Sequence, residues 1–138
     1  MKLLKITIFL MFITSNLFAK SNFFSEGLTF FKKDDFEKAK FKFEQDLVFN
    51  PKSEKSYLYL SKIYNFQKKK ELEEKNLNSV ILINPKNEEA IYNLAKLKLD
   101  NSDYKESKKL IEQLLVFCKD YCQKSKTLQI KIENSIKK

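Results

Sequence analysis

The chain has 138 residues, a formal net charge of +9 and 43% hydrophobic residues, values typical of one globular domain. It contains one Gly and two Pro, too few for the tight turns of an all-β fold, and no His, so the usual proton shuttle near neutral pH is absent. We therefore predict an all-α protein that is not an enzyme and that has no cofactor and no metal site.

The first 19 residues have the features of a secretory signal peptide. Lys2 and Lys5 precede an apolar run at residues 6–13, and the small Ala19 suits cleavage after it. That run is shorter than the roughly 20 residues that a membrane-spanning helix needs. The bias toward Lys, Asn, Ile and Phe indicates an AT-rich bacterial gene. We expect a periplasmic chain, with an uncleaved membrane anchor as the alternative.

The basic residues do not predict a nucleic-acid partner. All 27 are Lys, and they are spread along the sequence rather than gathered into one patch. Lys lacks the planar fork with which Arg contacts phosphate and guanine. A Lys-rich surface could instead make a peripheral contact with anionic lipid or polymer of the cell envelope.

The two prolines lie in the same short phrase, FNPKS at 49–53 and INPKN at 83–87, 34 residues apart. A period in this range indicates a repeat protein. Small residues recur at the same interval at Gly27, Ser61 and Ala95, where they would let two helices approach closely. Large apolar residues recur at Phe43, Leu77 and Ile111, where they would fill the gaps between helices.

These residues resemble the pattern of the tetratricopeptide repeat (TPR) family, whose unit is a helix-turn-helix of this length. The resemblance implies an α-solenoid of three TPR-like repeats, at 20–53, 54–87 and 88–120, with a capping helix at 121–138. Repeat one carries the pattern most fully. Repeat two departs from it, because Lys70 and Glu73 replace the aromatic residue and the Ala found at Phe36 and Ala39. The third repeat lacks the closing proline.

Turn residues and caps divide these repeats into seven predicted helices. Hairpin turns are expected at 32–35, 67–69 and 100–103, and Ser53 and Asn87 as N-caps. The last helix, 121–137, places Leu128, Ile132 and Ile136 on one face, which would cover the final apolar surface of the array. Binding of this basic amphipathic helix to a membrane surface is the alternative.

In the TPR family the concave face binds ligands, and the first helix of each pair lines it. The resemblance places ten residues in this groove: Phe24, Leu28, Phe31, Leu58, Tyr59, Lys62, Phe66, Tyr92, Asn93 and Lys96. Asn65 and Glu89 also stand at groove-facing positions. The family's Lys, Arg and Asn clamp for a terminal carboxylate is not matched, so an apolar or aromatic segment is the expected ligand. Alternatively, Phe24, Leu28 and Phe31 only pack against the neighbouring helix.

The two cysteines, Cys118 and Cys122, lie across the turn before the last helix. In an oxidising compartment they could form a disulfide, and two reduced thiols are the alternative. No other soft ligand is present to complete a metal site.

Taken together, these features predict a non-catalytic module of the bacterial cell envelope whose partner is a protein or peptide. The competing interpretation is a permanent structural subunit of an envelope assembly complex, docked through its convex face or its last helix.

Overall fold

The computed structural model describes residues 22–137, and within this range the chain forms seven α-helices and no strand. Their bounds are α1 Phe23–Phe31, α2 Phe36–Phe49, α3 Glu54–Phe66, α4 Lys70–Ile83, α5 Glu88–Asp100, α6 Tyr104–Phe117 and α7 Cys122–Ile136. The predicted all-α fold is confirmed. None of these helices is long and apolar enough to cross a membrane. The predicted signal peptide at 1–19 lies outside the described residues.

The helices pair as hairpins, α1 with α2, α3 with α4 and α5 with α6, and each hairpin turns at the same place. Asp34, Lys68 and Ser102, 34 residues apart, have positive φ angles of 58°, 56° and 62°. The N–H of the residue after each donates to the C=O five residues earlier, as Asp103 does to Lys98 at 2.8 Å. Gly usually occupies this left-handed position at a helix end. The first two turns lie where they were predicted, whereas α5 includes Asp100 and shortens the third turn by one residue.

The two Asn-Pro-Lys phrases connect one repeat to the next. Asn50 and Asn84 follow the last residues of α2 and α4, and the prolines after them cannot continue a helix. Asn87 then caps α5, because its Oδ1 accepts a hydrogen bond from the N–H of Ala90 at 2.8 Å. That N-cap was predicted correctly.

Ser53 stands at the N-cap position of α3 but its side chain does not cap the helix. Its hydroxyl donates instead to Ser56 Oγ at 3.0 Å, and Ser56 donates to the buried carboxylate of Asp46. Burial raises the pKa of Asp46, but hydrogen bonds from Ser56, Ser53 and Asn50 outweigh it and hold that pKa below its ordinary value. The N-cap position was therefore predicted correctly, but the side-chain hydrogen bond expected of a cap is absent.

The third connection contains a disulfide between Cys118 and Cys122, whose Cα atoms are 5.3 Å apart. Cys118 follows the end of α6 and Cys122 is the first residue of α7, so the bond encloses the turn between the two helices. Of the two alternatives left open by the sequence, the structure has the disulfide.

Two glutamates attach each first helix to the next inter-repeat turn. The Glu54 carboxylate accepts from the side-chain amides of Asn84, at 2.9 Å, and Asn87. Glu88, 34 residues later, accepts from the backbone N–H groups of residues 119, 120 and 121 at 2.8, 3.0 and 2.9 Å. These hydrogen bonds, above all the one from the N–H of Tyr121, hold the pKa of Glu88 below its ordinary value. Successive repeats are therefore joined by hydrogen bonds as well as by packing.

The core divides into two parts. The first, in repeat one and the start of repeat two, contains Ala39, Phe43, Leu60, Ile63 and Tyr64. The second extends from α4 to α7 and contains Leu77, Val80, Ala90, Ile91, Leu94, Ala95, Leu97, Leu110, Ile111, Leu114, Leu128 and Ile132. Ile136, the last residue of α7, is half exposed, so the covering face of the cap ends at Ile132 and not at Ile136 as predicted.

Glu73 is a buried carboxyl at the position where Ala39 and Ser107 stand in the other repeats. It is 5% exposed, and Asn65 Nδ2 donates to its Oε1 at 3.0 Å. Burial raises the pKa of Glu73 above its usual value, and the hydrogen bond from Asn65 and the positive charge of Lys96 offset this only in part.

We predict that Gly27→Ala destabilises the fold. A Cβ at Gly27 would lie 2.7 Å from Cε1 of the fully buried Phe43. The steric cost should exceed the gain of about 1 kcal/mol in helix propensity, so the free energy of unfolding in urea should fall by about 1 kcal/mol. Ser25→Ala, an exposed site on the same helix, is the control and should change it by less than about 0.5 kcal/mol. A Gly27→Ala variant more stable than the parent would contradict this packing.

We predict that Glu73→Gln stabilises the chain at neutral pH, because Gln keeps an acceptor for Asn65 and removes a buried charge. The folded pKa lies above the unfolded one, so the folded chain binds more protons between the two values and the cost of the charge appears as pH rises through the folded pKa. Lys96 and Lys70 reduce that cost and Asp100 adds to it.

Urea unfolding of the parent and of Glu73→Gln, measured below and above the pH range between the two pKa values, gives the difference in their free energies of unfolding. The advantage of Glu73→Gln should be absent below the ordinary pKa of 4.5 and should grow as pH rises above it. Glu71→Gln, at an exposed side chain of the same helix, is the matched control for the substitution and should gain no stability over the parent. Equal stability of Glu73→Gln and the parent at neutral pH would count against a buried, destabilising charge.

Candidate functional site

A concave cleft of about 330 Å³ lies where the first helices of the three repeats, α1, α3 and α5, face each other. The α3 residues of the lining are Ser61, Lys62, Asn65 and Phe66. They share one face of the helix because they are three or four positions apart. Lys62 and Lys96, 34 residues apart, occupy the same position on α3 and α5. The lining residues are Phe31, Ser61, Lys62, Asn65, Phe66, Glu89, Asn93 and Lys96.

One wall of the cleft is the edge of an aromatic cluster formed by Phe24, Phe31, Phe36, Phe43, Tyr59 and Phe66. Tyr59 is central to this cluster, with its ring centroid 5.0 Å from that of Phe31 and 5.3 Å from that of Phe43. Phe66 stacks on Phe36 at 4.9 Å with an angle of 13° between the rings. Aromatic pairs of this kind stabilise a fold by more than the burial of their apolar area alone. The wall is therefore a preformed apolar surface.

The other wall is polar. Lys62 Nζ lies 2.8 Å from Glu89 Oε1, and this ion pair joins α3 to α5. The same Nζ lies over the Tyr59 ring, 4.7 Å from its centroid. The Lys62 charge is thus matched within the chain. Lys96 is exposed and has no ion-pair partner among residues 22–137, and Asn93 lies half-buried one turn before it on α5. These two side chains can donate hydrogen bonds to an acceptor in the cleft.

Five of the ten residues predicted for the groove line the cleft: Phe31, Lys62, Phe66, Asn93 and Lys96. Phe24 and Tyr59 lie behind its wall in the aromatic cluster. Leu58 and Tyr92 pack against the second core, where Tyr92 meets Tyr121 at 5.4 Å between ring centroids. Leu28 is half-buried on α1 outside the lining. The structure therefore separates cleft from packing surface within the predicted set.

Three lining residues stand outside the predicted set. Asn65 and Glu89 occupy groove-facing positions. The Asn65–Glu73 hydrogen bond and the Lys62–Glu89 ion pair hold them there, and the sequence does not predict either contact. Ser61 was assigned to helix packing. It is buried and its hydroxyl donates to the C=O of Leu58 at 2.7 Å, yet its outer side reaches the cleft. The equal spacing of Ser61 and Ala95 indicated only its packing role.

The cleft is lined by few ionisable groups. Its ionisable groups are two Lys and one Glu, of which one Lys and the Glu are paired with each other. Across residues 22–137, no group of three His, Cys, Asp or Glu side chains is placed to hold a metal ion. An apolar wall opposite hydrogen-bond donors is typical of a ligand-binding cleft.

Two solved structures are similar to this chain. The first TPR domain of Spaghetti (RPAP3), bound to the HSP90 peptide SRMEEVD, superposes with a TM-score of 0.76 at 16% identity, over 84% of this chain and 91% of that one. The Sgt2 TPR domain from Aspergillus fumigatus superposes with a TM-score of 0.72 at 21% identity, over 87% and 83% of the two chains. No family model matches the sequence. No curated protein matches it either.

The likeness spans most of this chain and most of each solved domain. It agrees with the repeated hairpins, with the turns 34 residues apart and with the capping helix. The chain therefore has the fold of TPR domains, an α-solenoid of helix-turn-helix repeats, as its sequence predicts.

Proposed function

We propose that the chain is a protein-interaction module that binds a peptide segment with an aromatic or large apolar side chain in the cleft. The observation that carries this proposal is the exposure of Phe66, 61%, at the rim of a concave surface. One face of its ring is stacked on Phe36, while the side chain as a whole is open to solvent. A ligand ring packed on Phe66 and Phe31 would bury apolar surface that water now covers.

The polar wall would orient such a ligand. Asn93 and Lys96 can donate to a backbone C=O or a carboxylate of the peptide, whereas Glu89 already engages Lys62. The similar RPAP3 domain is bound to a peptide, and this supports a peptide as the class of ligand. That peptide, SRMEEVD, is acidic, whereas the cleft here has one unpaired Lys beside an aromatic wall. We therefore propose an apolar or aromatic segment with few acidic groups.

We also propose that the chain acts outside the cytoplasm, in the periplasm of a bacterial envelope. The signal-like residues 1–19 support export, and so does the Cys118–Cys122 disulfide, because such bonds persist in oxidising compartments and are rare in the cytosol. Membrane anchoring by an uncleaved signal is compatible with the same observations.

Selection of peptides on the full chain tests the cleft. A random peptide library displayed on phage should yield binders enriched in Phe, Tyr, Trp or Leu. Phe66→Ala should weaken their binding roughly tenfold or more in fluorescence anisotropy, because truncating an aromatic anchor typically costs more than 1 kcal/mol. Phe41→Ala, which removes an equally exposed ring on α2 outside the cleft, is the matched control and should leave binding unchanged.

Two results would contradict this proposal. Equal losses in Phe66→Ala and Phe41→Ala would mean that the peptides bind elsewhere. If selection yields no binder and the chain stays with a detergent-extracted complex regardless of Phe66→Ala, it is a structural subunit docked through another face.

The disulfide yields a separate prediction about the compartment. In cells that export the chain, a maleimide should label Cys118 and Cys122 only after reduction. Replacing both by Ser should lower the free energy of unfolding of the oxidised protein by about 2 kcal/mol, as expected for so short a loop. Dithiothreitol should abolish that difference. Cys118→Ser alone is the labelling control, since it leaves one free thiol. Labelling of the unreduced parent in intact cells would contradict export to an oxidising compartment.

A further inference from the structure

Glu73 is a carboxyl group at a position where the other repeats have a small residue. Its equivalents, 34 residues away in each direction, are Ala39 and Ser107, and both are fully buried. Glu73 is 5% exposed, and its carboxylate forms no ion pair within residues 22–137. A buried charge without a close opposite charge lowers stability. A residue that breaks the packing rule of its own fold in this way is often functional.

The hydrogen bond that Glu73 accepts fixes the side-chain amide of Asn65. Asn65 Nδ2 donates to Glu73 Oε1 at 3.0 Å, across the hairpin from α3 to α4. An ionised carboxylate has acceptors only, so the NH2 end of the amide must face it. Without such a partner the amide could turn either way, because its two ends have nearly the same shape. Glu73 therefore selects one of two orientations of Asn65.

This orientation determines what Asn65 offers to the cleft. Asn65 is exposed and lines the cleft, whereas Glu73 is buried. Because the NH2 end is directed at the buried carboxylate, the other end of the amide, Oδ1, is directed away from it and toward the open side. An acceptor then lies beside the apolar Phe66, while Asn93 and Lys96 provide donors from α5. A peptide backbone carries both N–H and C=O groups, so a bound segment needs acceptors as well as donors.

The charged groups around Glu73 come from its own helix and from α5, since α4 packs against α3 and α5. Burial, the largest influence, raises the pKa of Glu73, and the hydrogen bond from the neutral Asn65 on α3 lowers it. Lys96 on α5 and Lys70 on α4 also lower this pKa, whereas Asp100 on α5 raises it. The net result is a raised pKa, so Glu73 takes up its proton at a higher pH than an ordinary glutamate does.

We propose that Glu73 is a positioning residue for peptide binding, and that the Asn65 Oδ1 it directs into the cleft accepts a hydrogen bond from a backbone N–H of the bound segment. This inference rests on the proposed function and adds a requirement to it. The peptide residue opposite Asn65, beside the side chain packed on Phe66, needs a free N–H, so proline is excluded there. When Glu73 is protonated, its O–H donates to Oδ1 instead, and the peptide loses its acceptor.

NMR of the full chain tests the orientation of Asn65 without any peptide. The side-chain nitrogen and proton resonances of Asn65 should move with pH along the same titration curve as the carboxyl carbon of Glu73, because protonation changes the hydrogen bond between them. Asn78, exposed on α4 outside the cleft, is the control, and its side-chain resonances should not follow that curve. Asn65 resonances that do not respond to the titration of Glu73 would overturn the proposal.

The contact with the peptide is tested with the tightest binder from the phage selection, synthesised with blocked ends, and with copies methylated at one backbone nitrogen at a time. One methylation should weaken binding to the parent chain about fivefold in fluorescence anisotropy, the loss expected for one hydrogen bond. Asn65→Ala should weaken the unmodified peptide to the same extent but that methylated copy no further, because both changes remove one contact. Asn78→Ala is the matched control and should change neither. Additive losses from Asn65→Ala and every methylation would overturn the proposal.

The pH profile of binding separates positioning by Glu73 from a merely structural role. As pH falls to 4.5, the ordinary pKa of a glutamate, the affinity of the parent for the blocked peptide should fall about fivefold. Glu73→Gln, which cannot titrate, should remove this fall, and Glu71→Gln should keep it. The same pH profile in Glu73→Gln and the parent would overturn the proposal.

The variants also distinguish a failure of this inference from a failure of the proposed function. If Phe66→Ala weakens binding while Asn65→Ala and Glu73→Gln leave the affinity and its pH profile unchanged, the cleft binds peptides and only the inference about Glu73 is wrong. If Phe66→Ala has no effect, the proposed function fails and this inference fails with it.

Discussion

The structure depends on the close approach of the two helices in each hairpin at a residue without a large side chain. Gly27, Ser61 and Ala95 are buried at this contact, one per repeat. At Gly27 the facing ring of Phe43 leaves no room even for a methyl group. Once two helices lie this close, each hairpin has an apolar side that only another element can cover. The next repeat covers it, and α7 covers the last one with Leu128 and Ile132.

The hairpin turns and the succession of helices could be predicted because they depend on local signals that recur every 34 residues. The contacts of Glu54 and Glu88 could not, because each joins residues 30 to 33 positions apart and depends on side-chain orientation. The groove was predicted in part for a related reason. Helical spacing places Phe24 of α1 and Tyr59 of α3 on the sides of their helices that face the groove. It does not show that Phe43 of α2 fills the space beneath these two rings.

The cleft lies at the junction between two different cores. Repeat one contributes aromatic packing around Phe43, and repeats two and three contribute aliphatic packing that ends at α7. Large rings are rigid and leave an edge where the aliphatic layer begins, so Phe66 remains open on one side. Glu73 marks the same junction. Where the other repeats place Ala39 or Ser107, this carboxyl holds Asn65, which lines the cleft.

The same inter-repeat turns that end the helices also determine which surfaces are left for partners. Because every second helix ends there, Val48, Leu82 and Val116 have no following turn to cover them and stand in a row. The cleft uses the first helices instead, and none of these three residues lines it. Phe66, at the C-terminal end of α3, lies toward the hairpin turns at the far end of the solenoid. A peptide in the cleft would therefore leave Val48, Leu82 and Val116 uncovered.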